Sequence, residues 1–171
     1  IDKDGGLVEP DGMQGELIRN LFISKRGNTL NCDKLDFDTS NKQLWDIPCD
    51  IFIPAAASRL VSSDQVERLL KGGLKVIACG ANVPFTDDEI FFGDTAKSVD
   101  KRISLIPDFV ANCGMARVFA YLMQKNIKIT DESIFENISN IIHRFLNDLY
   151  IIDKSHLNIS RRSLEKVIKI N

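Results

Sequence analysis

The sequence predicts an α/β fold built on a doubly wound parallel sheet, only partly present, with helices appended at the C-terminal end. Two observations carry that expectation. Short apolar runs that read as strands ("CDIFI", "LKVIACGAN", "ISLIPD") alternate with amphipathic segments of helical length. Each run also ends in small residues or proline ("PAAA", "CGAN", "PD") where a surface loop normally carries polar side chains.

The elements follow in order. Ile1-Asp2 reads as the last two residues of a strand and Asp4-Gly5-Gly6 as the turn after it, as expected for an excerpt whose upstream half lies outside this chain. Met13, Leu17, Ile18, Leu21 and Phe22 recur at helical spacing, and Gly27-Asn28 is the expected stop. A stretch of turns and short extended pieces leads to the strand Cys49–Ile53. "SSDQVERLLKGG" is a helix of about three turns, capped by Ser63 or Asp64 and stopped by Gly72-Gly73. "TDDEIFFGDTAKSVDKR" reads as a helix capped by Thr86 with acids in its first turn. After "ISLIPD" the helical pattern runs from Phe109 through Met123. The next helix is capped by Thr130 or Asp131, with an apolar stripe through Ile134, Phe135, Ile138, Ile141, Ile142 and Phe145 that suits core packing. "SRRSLEKVIKIN" forms a last helix. We divide the chain into residues 1–124, the partial sheet domain, and residues 125–171, a helical extension packing on it.

Composition narrows the function. The chain has 171 residues, 44% hydrophobic and 27% charged, with net charge −2. No basic face is offered to nucleic acid or to anionic lipid. No apolar run approaches the roughly 20 residues that span a bilayer, and the first residues have neither a basic leader nor an apolar core. Cys32, Cys49, Cys79 and Cys113 form no CxxC pair, which fits free thiols in a reducing cytoplasm. His143 and His156 have no partner at ligand spacing, so no metal site is expected.

In a parallel sheet of this kind ligands lie outside the carboxyl ends of the strands, where backbone must approach closely. Small residues at one strand end are explained by tight strand–helix packing. Three such ends in sequence order favour a planar ligand lying against backbone, with Asn82 and Asn112 offering paired donors and acceptors.

Three of these segments resemble one family, the glutamate/leucine/phenylalanine/valine dehydrogenases, in their nucleotide-binding domain. "CDIFIPAA" resembles the family's Cys-Asp-strand-Pro-Ala-Ala signature, "GANVPFTDDE" its Gly-Ala-Asn-x-Pro-x-Thr segment, and "IPDFVANCG" its Ile-Pro-Asp-x-x-x-Asn-x-Gly segment. "DKDGGLVEPDGM" is similar to the loop after that domain's second strand. The resemblance implies a Rossmann-like sheet that binds NAD or NADP in an enzyme that reversibly deaminates an L-amino acid to a 2-oxo acid, passing hydride to the nicotinamide. It implies that Ala55 and Ala56 form the floor beside the nicotinamide ribose, that Asn82 contacts that ribose, and that Asn112 holds the carboxamide. Asp2 would meet the adenosine ribose, without deciding between NAD and NADP. The expected partners are the substrate domain of the same enzyme and further copies of it in a homo-oligomer.

Departures bear on activity. Neither a Gly-rich pyrophosphate loop nor the family's catalytic lysine and aspartate is in this chain, so it contributes no catalytic residue. Asp50 and Asp108 read as acids that hydrogen-bond loop backbone. Met115 stands where a second glycine is usual, and Arg59 and Cys79 replace a frequent asparagine and glutamate. Phe119 lines the side-chain pocket by the resemblance and cannot hydrogen-bond an acidic substrate. The alternative reading is a non-catalytic nucleotide-binding or regulatory relative; a hydroxy-acid dehydrogenase ranks lower, for want of the Gly-Ala-Asn segment. Replacing Ala56 by Leu is expected to weaken NADH binding about tenfold or more in a fluorescence titration. Unchanged affinity would remove the alanine floor from the account.

Overall fold

A computed structural model describes residues 1–27 and 29–168 of the chain. The chain divides into two compact units, Ile1–Ile47 and Pro48–Asn171.

In the first unit, β1 (Gly5–Gly6) pairs antiparallel with β2 (Leu35–Asp36), and Asp2 bridges Gly5. The pair Gly5-Gly6, expected as a turn, is therefore a strand. Backbone proximity explains the glycine: a Cβ on Gly5 would lie 1.9 Å from the carbonyl oxygen of Leu35. Helix α1 (Gly15–Ser24) follows the expected spacing and ends before the expected stop. Gly27, at φ 59°, belongs to a tight turn closed by Arg26 and Thr29, and Asn28 lies outside the described residues. Asp36 caps α2 (Phe37–Gln43) by accepting from the Thr39 amide at 3.0 Å.

The second unit holds the parallel sheet, in the order β3-β4-β5: β3 (Ile51–Phe52), β4 (Val76–Ala78) and β5 (Ser104–Ile106). Ile51 faces Val76, which faces Ser104; Ile77 faces Leu105. The connections β3-α3-β4 and β4-α4-β5 are the expected βαβ units, with α3 at Ser63–Lys71 and α4 at Asp94–Asp100. Ile77 and Leu105 on the sheet, Val66 and Leu69 on α3, and Val99 on α4 make a buried core. The run that forms β3 carries apolar residues on both faces, at Ile51, Phe52 and Ile53. Ile51 and Ile53 are 59% and 60% exposed, and among the described residues β3 is the sheet's edge, paired with β4 alone.

The capping box of α3 is built on Ser62, one residue before the expected cap, with Gln65 reaching back. A larger difference lies between Thr86 and Gly93, where the expected helix is irregular backbone. Asp87, read as a first-turn acid, spends its carboxylate on Thr95, accepting from the amide at 2.9 Å and the hydroxyl at 2.7 Å. The helix starts only at Asp94, and a Cβ on Gly93 would come within 2.5 Å of Asp87 Cβ. The helix expected from Phe109 to Met123 is two helices, α5 (Asp108–Ala111) and α6 (Gly114–Leu122), broken at Asn112-Cys113.

Thr130 caps α7 (Asp131–Ile152) through a capping box with Ser133. Most of the α7 stripe is half-buried, but Phe135 is exposed. The final helix, α8 (Ile159–Ile168), packs on α4 and β5; residues 169–171 of the expected helix lie outside the described residues. Its start is fixed by buried Asp100, whose two oxygens accept from the amides of Ser160 and Arg161, each at 2.9 Å. Burial pushes the Asp100 carboxyl above its usual range, and those two amides with the Arg162 charge pull it back. Arg162 in turn donates to the carbonyls of Leu149, Asp153, Ser155, Leu157 and Asn158, closing the end of α7 and the turn after it.

Opposite outcomes are expected at two positions on this contact. Asp100→Ala strips two helix amides of their acceptor and should cost about 3 kcal/mol in denaturant unfolding. Ser163 Oγ is buried with no hydrogen-bond partner among the described residues. Ser163→Ala should therefore stabilise by about 1 kcal/mol. A stabilising Asp100→Ala or a strongly destabilising Ser163→Ala would contradict this description of the helix contact.

Candidate functional site

The three strand ends of the second unit are joined by hydrogen bonds. Pro54, buried after β3, accepts from the Ala81 amide after β4 at 2.7 Å. Further along, the amides of Leu60 and Val61 both donate to Pro84, and Thr86 donates back to Val61. These bonds run the loop 54–61 alongside the loop 80–86, and Val61 and Phe85 make a parallel bridge. A Cβ on Gly80 would sit 3.1 Å from the Cβ of Ala55. Close packing thus accounts for Gly80, while Ala55 and Ala56 keep exposed surfaces.

The third strand end is tied in by Asp108. Its Oδ2 accepts from the Val83 amide at 2.8 Å and its Oδ1 from the Phe109 amide at 2.9 Å. The expectation that Asp108 serves loop backbone holds. Asp50 differs: its exposed carboxylate pairs with Lys75 Nζ at 2.6 Å. Val83 itself has φ 44°, a left-handed conformation that costs a β-branched residue roughly 1–3 kcal/mol. The bonds to its amide and carbonyl hold it there.

Asn82 and Asn112 meet. Asn112 Nδ2 donates to Asn82 Oδ1 at 2.9 Å, and both residues are exposed. Each amide keeps its other group for a ligand: Asn112 an acceptor oxygen, Asn82 a donor nitrogen. Such a pair of groups complements a primary carboxamide or a sugar hydroxyl. Behind the Asn82 loop lies a cavity of about 40 Å³, lined by Cys79, Val83, Phe91, Leu105, Phe109 and Leu164. A space of this size admits water and not a nicotinamide ring, so a planar ligand is better served by the exposed rim. Phe91 and Phe109 meet edge to face in its wall, with ring centroids 6.4 Å apart. Cys79 is an inert wall of this cavity; burial, with Asp108 nearby, pushes its thiol up to about 12.

Phe119 lies on α6, 62% exposed, one turn beyond Met115 at 68%. The structure gives it no partner that would close a pocket around it among the described residues. Asp2 belongs to the first unit. Its Oδ1 accepts from the amides of Asp4 and Gly5 and its Oδ2 from that of Leu30. Lys34 Nζ donates to both oxygens, at 3.0 and 2.8 Å, and also to the Leu30 carbonyl. The acceptor sites of Asp2 are thus occupied from within its own unit. Neither Lys34, which neutralises Asp2, nor the strained Val83 stands out in the sequence, because their partners are distant or are backbone groups. Arg59 was noted only as a substitution, yet its guanidinium donates to the carbonyls of Asp87 and Asp88 at 2.7 and 3.1 Å.

Comparison with known proteins adds to this geometry. Residues 1–162 match the family described as Glutamate/Leucine/Phenylalanine/Valine dehydrogenase. The cryptic catabolic NAD-specific glutamate dehydrogenase GudB of Bacillus subtilis is 25% identical over 153 residues, covering 87% of this chain and 33% of that protein. The NADP-specific glutamate dehydrogenase of Chlorella sorokiniana is 25% identical over 157 residues, covering 87% and 29%. Among solved structures, glutamate dehydrogenase 2 of Plasmodium falciparum has a TM-score of 0.65 at 22% identity, covering 99% of this chain and 39% of that one. A second Plasmodium falciparum glutamate dehydrogenase gives 0.59 at 21%, covering 99% and 40%. These structural likenesses show the fold. The chain spans about a third of the length of the curated relatives it matches.

The Asp2 pair has a consequence for acid stability. Burial opposes the Asp2 charge, but the bond from Lys34 and the amides of Leu30 and Asp4 outweigh it and hold the carboxyl well below the usual range. A depressed folded value adds stability above the unfolded value of about 3.9 and loses it as pH falls below that. The stability gap between wild type and Asp2→Asn should be constant from about pH 5 upward and shrink in more acidic solution. A gap that stays constant down to pH 2 would show that the pair does not hold the first unit.

Proposed function

Because the chain belongs to the glutamate/leucine/phenylalanine/valine dehydrogenase family, we propose that it forms much of the nicotinamide-dinucleotide-binding domain of an amino-acid dehydrogenase. In this reading residues 1–124 are the partial dinucleotide domain and residues 125–171 its helical extension. The carrying observation is the Asn82–Asn112 amide pair standing beside the exposed Ala55 and Ala56 loop on one hydrogen-bonded rim.

The cofactor, NAD or NADP, supplies the hydride acceptor when bound. The residues present fit its nicotinamide half. Asn112 offers the carboxamide an acceptor, Asn82 offers a donor to the nicotinamide ribose, and the alanines leave a flat floor. Fixing the amide selects the face of the ring that meets substrate. Asp2, already bonded on both oxygens, would have to exchange partners to reach an adenosine ribose.

Asp108, the acid nearest the paired amides, has both oxygens held by backbone amides and is not free to carry a proton. We therefore assign acid–base catalysis, and with it a substrate domain, to other parts of a longer polypeptide. The chain alone would not turn over substrate. The edge of β3, with Ile51 and Ile53 exposed, suits a further parallel strand from that polypeptide. Assembly as a homo-oligomer and a cytoplasmic setting complete the proposal. Phe119, apolar and accessible on α6, favours an apolar substrate side chain over glutamate.

The test is the whole polypeptide containing this chain, assayed for NAD and NADP reduction with L-glutamate, L-leucine, L-valine and L-phenylalanine. An apolar amino acid should exceed glutamate in kcat/KM by about tenfold or more. A preference for glutamate would remove the role given to Phe119. Absence of turnover with cofactor still bound would point instead to a nucleotide-binding module without dehydrogenase chemistry.

A further inference from the structure

Arg59 follows the alanine loop by two residues and reaches the loop that carries Asn82. It occupies a left-handed conformation, φ 58°, that turns its side chain and its amide toward the same neighbour. The amide donates to the Val83 carbonyl at 2.8 Å. The guanidinium forks onto two consecutive carbonyls, Asp87 at 2.7 Å through Nη1 and Asp88 at 3.1 Å through Nη2. Helical backbone would spend those carbonyls internally, so the fork and the irregular stretch from Thr86 to Gly93 belong together.

We propose that Arg59 is a positioning residue for the nicotinamide half of the cofactor, acting by holding the loop that presents Asn82. This inference rests on the function proposed above. Asn82 is exposed and, among the described residues, has one side-chain hydrogen bond, the one it accepts from Asn112, so its place is set by its backbone. The next residue is the left-handed Val83, whose amide is held by Asp108 and whose carbonyl is held by Arg59. Loss of the guanidinium leaves the Arg59 amide on the Val83 carbonyl but frees the carbonyls of Asp87 and Asp88, so the segment that continues the Asn82 loop is no longer anchored. Asn82 then samples positions away from Asn112, and ordering the loop becomes part of the cost of binding. In the proposed function this loop meets the nicotinamide half, so binding of the adenosine and phosphate end is expected to be insensitive to it.

The experiment compares wild type, Arg59→Ala and Arg59→Lys in the whole polypeptide containing this chain. Two probes are titrated: NADH, and ADP, which has the adenosine and both phosphates but neither the nicotinamide nor its ribose. Arg59→Ala should raise the Kd for NADH about tenfold and change that for ADP by less than about twofold. Arg59→Lys keeps the charge but not the fork, and should fall between wild type and Arg59→Ala. If the alanine variant does not fold, the lysine variant decides on the same two probes. Equal weakening toward both probes would reduce Arg59 to a general structural role, and unchanged NADH affinity would overturn the proposal. A wild type that binds ADP but not NADH, or neither, would overturn the proposed function itself and this inference with it.

Discussion

The rim of the second unit depends on how one strained peptide is held. Val83 sits in a conformation that a β-branched side chain disfavours, and Asp108, at the end of the neighbouring strand, accepts from its amide. Asp108 spends its other oxygen on the first turn of its own helix, so a single carboxylate fastens the loop after β4 to the end of β5. Asn82 and Asn112 come within hydrogen-bonding distance because this tie fixes the backbone on which each stands. The carboxylate is therefore part of the scaffold, which is why it is a poor candidate for moving protons in the proposed chemistry.

The same economy of distant ties recurs at the other end of the unit. Buried Asp100 caps α8 from another helix, and Arg162 collects carbonyls from the end of α7 and the turn beyond. Together they seat α8 on α4 and β5, the two elements that follow the Asn82 loop, and tie the end of α7 to α8. The sheet is short, three strands of two or three residues each. Much of the unit's definition comes from these side-chain-to-backbone bonds around it.

Local signals in the sequence located what local physics decides. The three strands, the helix boundaries at Thr130 and near Ser62, and the service of Asp108 to loop backbone were all legible, because apolar runs, capping residues and proline act over a few positions. The stretch from Thr86 to Gly93 was misread because its pattern is helical. The competing partner, Arg59, lies 28 residues from Asp87 in sequence, and it binds carbonyls, which leave no compositional trace. The break at Asn112-Cys113 was hidden for a similar reason: no proline or glycine marks it, and the next glycine opens α6. In the first unit, two glycines that read as a turn form a strand because a backbone carbonyl passes where a side chain would be. The alanines of the rim were read as a ligand floor. The structure adds that Ala55 also packs against Gly80, so one small residue can answer both to packing and to the proposed ligand.

The central claim is that the rim formed by the ends of β3, β4 and β5 receives the nicotinamide half of a dinucleotide. The most direct measurement is a titration of this chain with NADH and NADPH, followed by backbone and side-chain amide resonances. The account predicts saturable shifts at Ala55, Ala56 and Asn82, with separate movement of the Asn82 and Asn112 side-chain amides. Saturable binding that leaves those resonances unmoved while shifting others would contradict it.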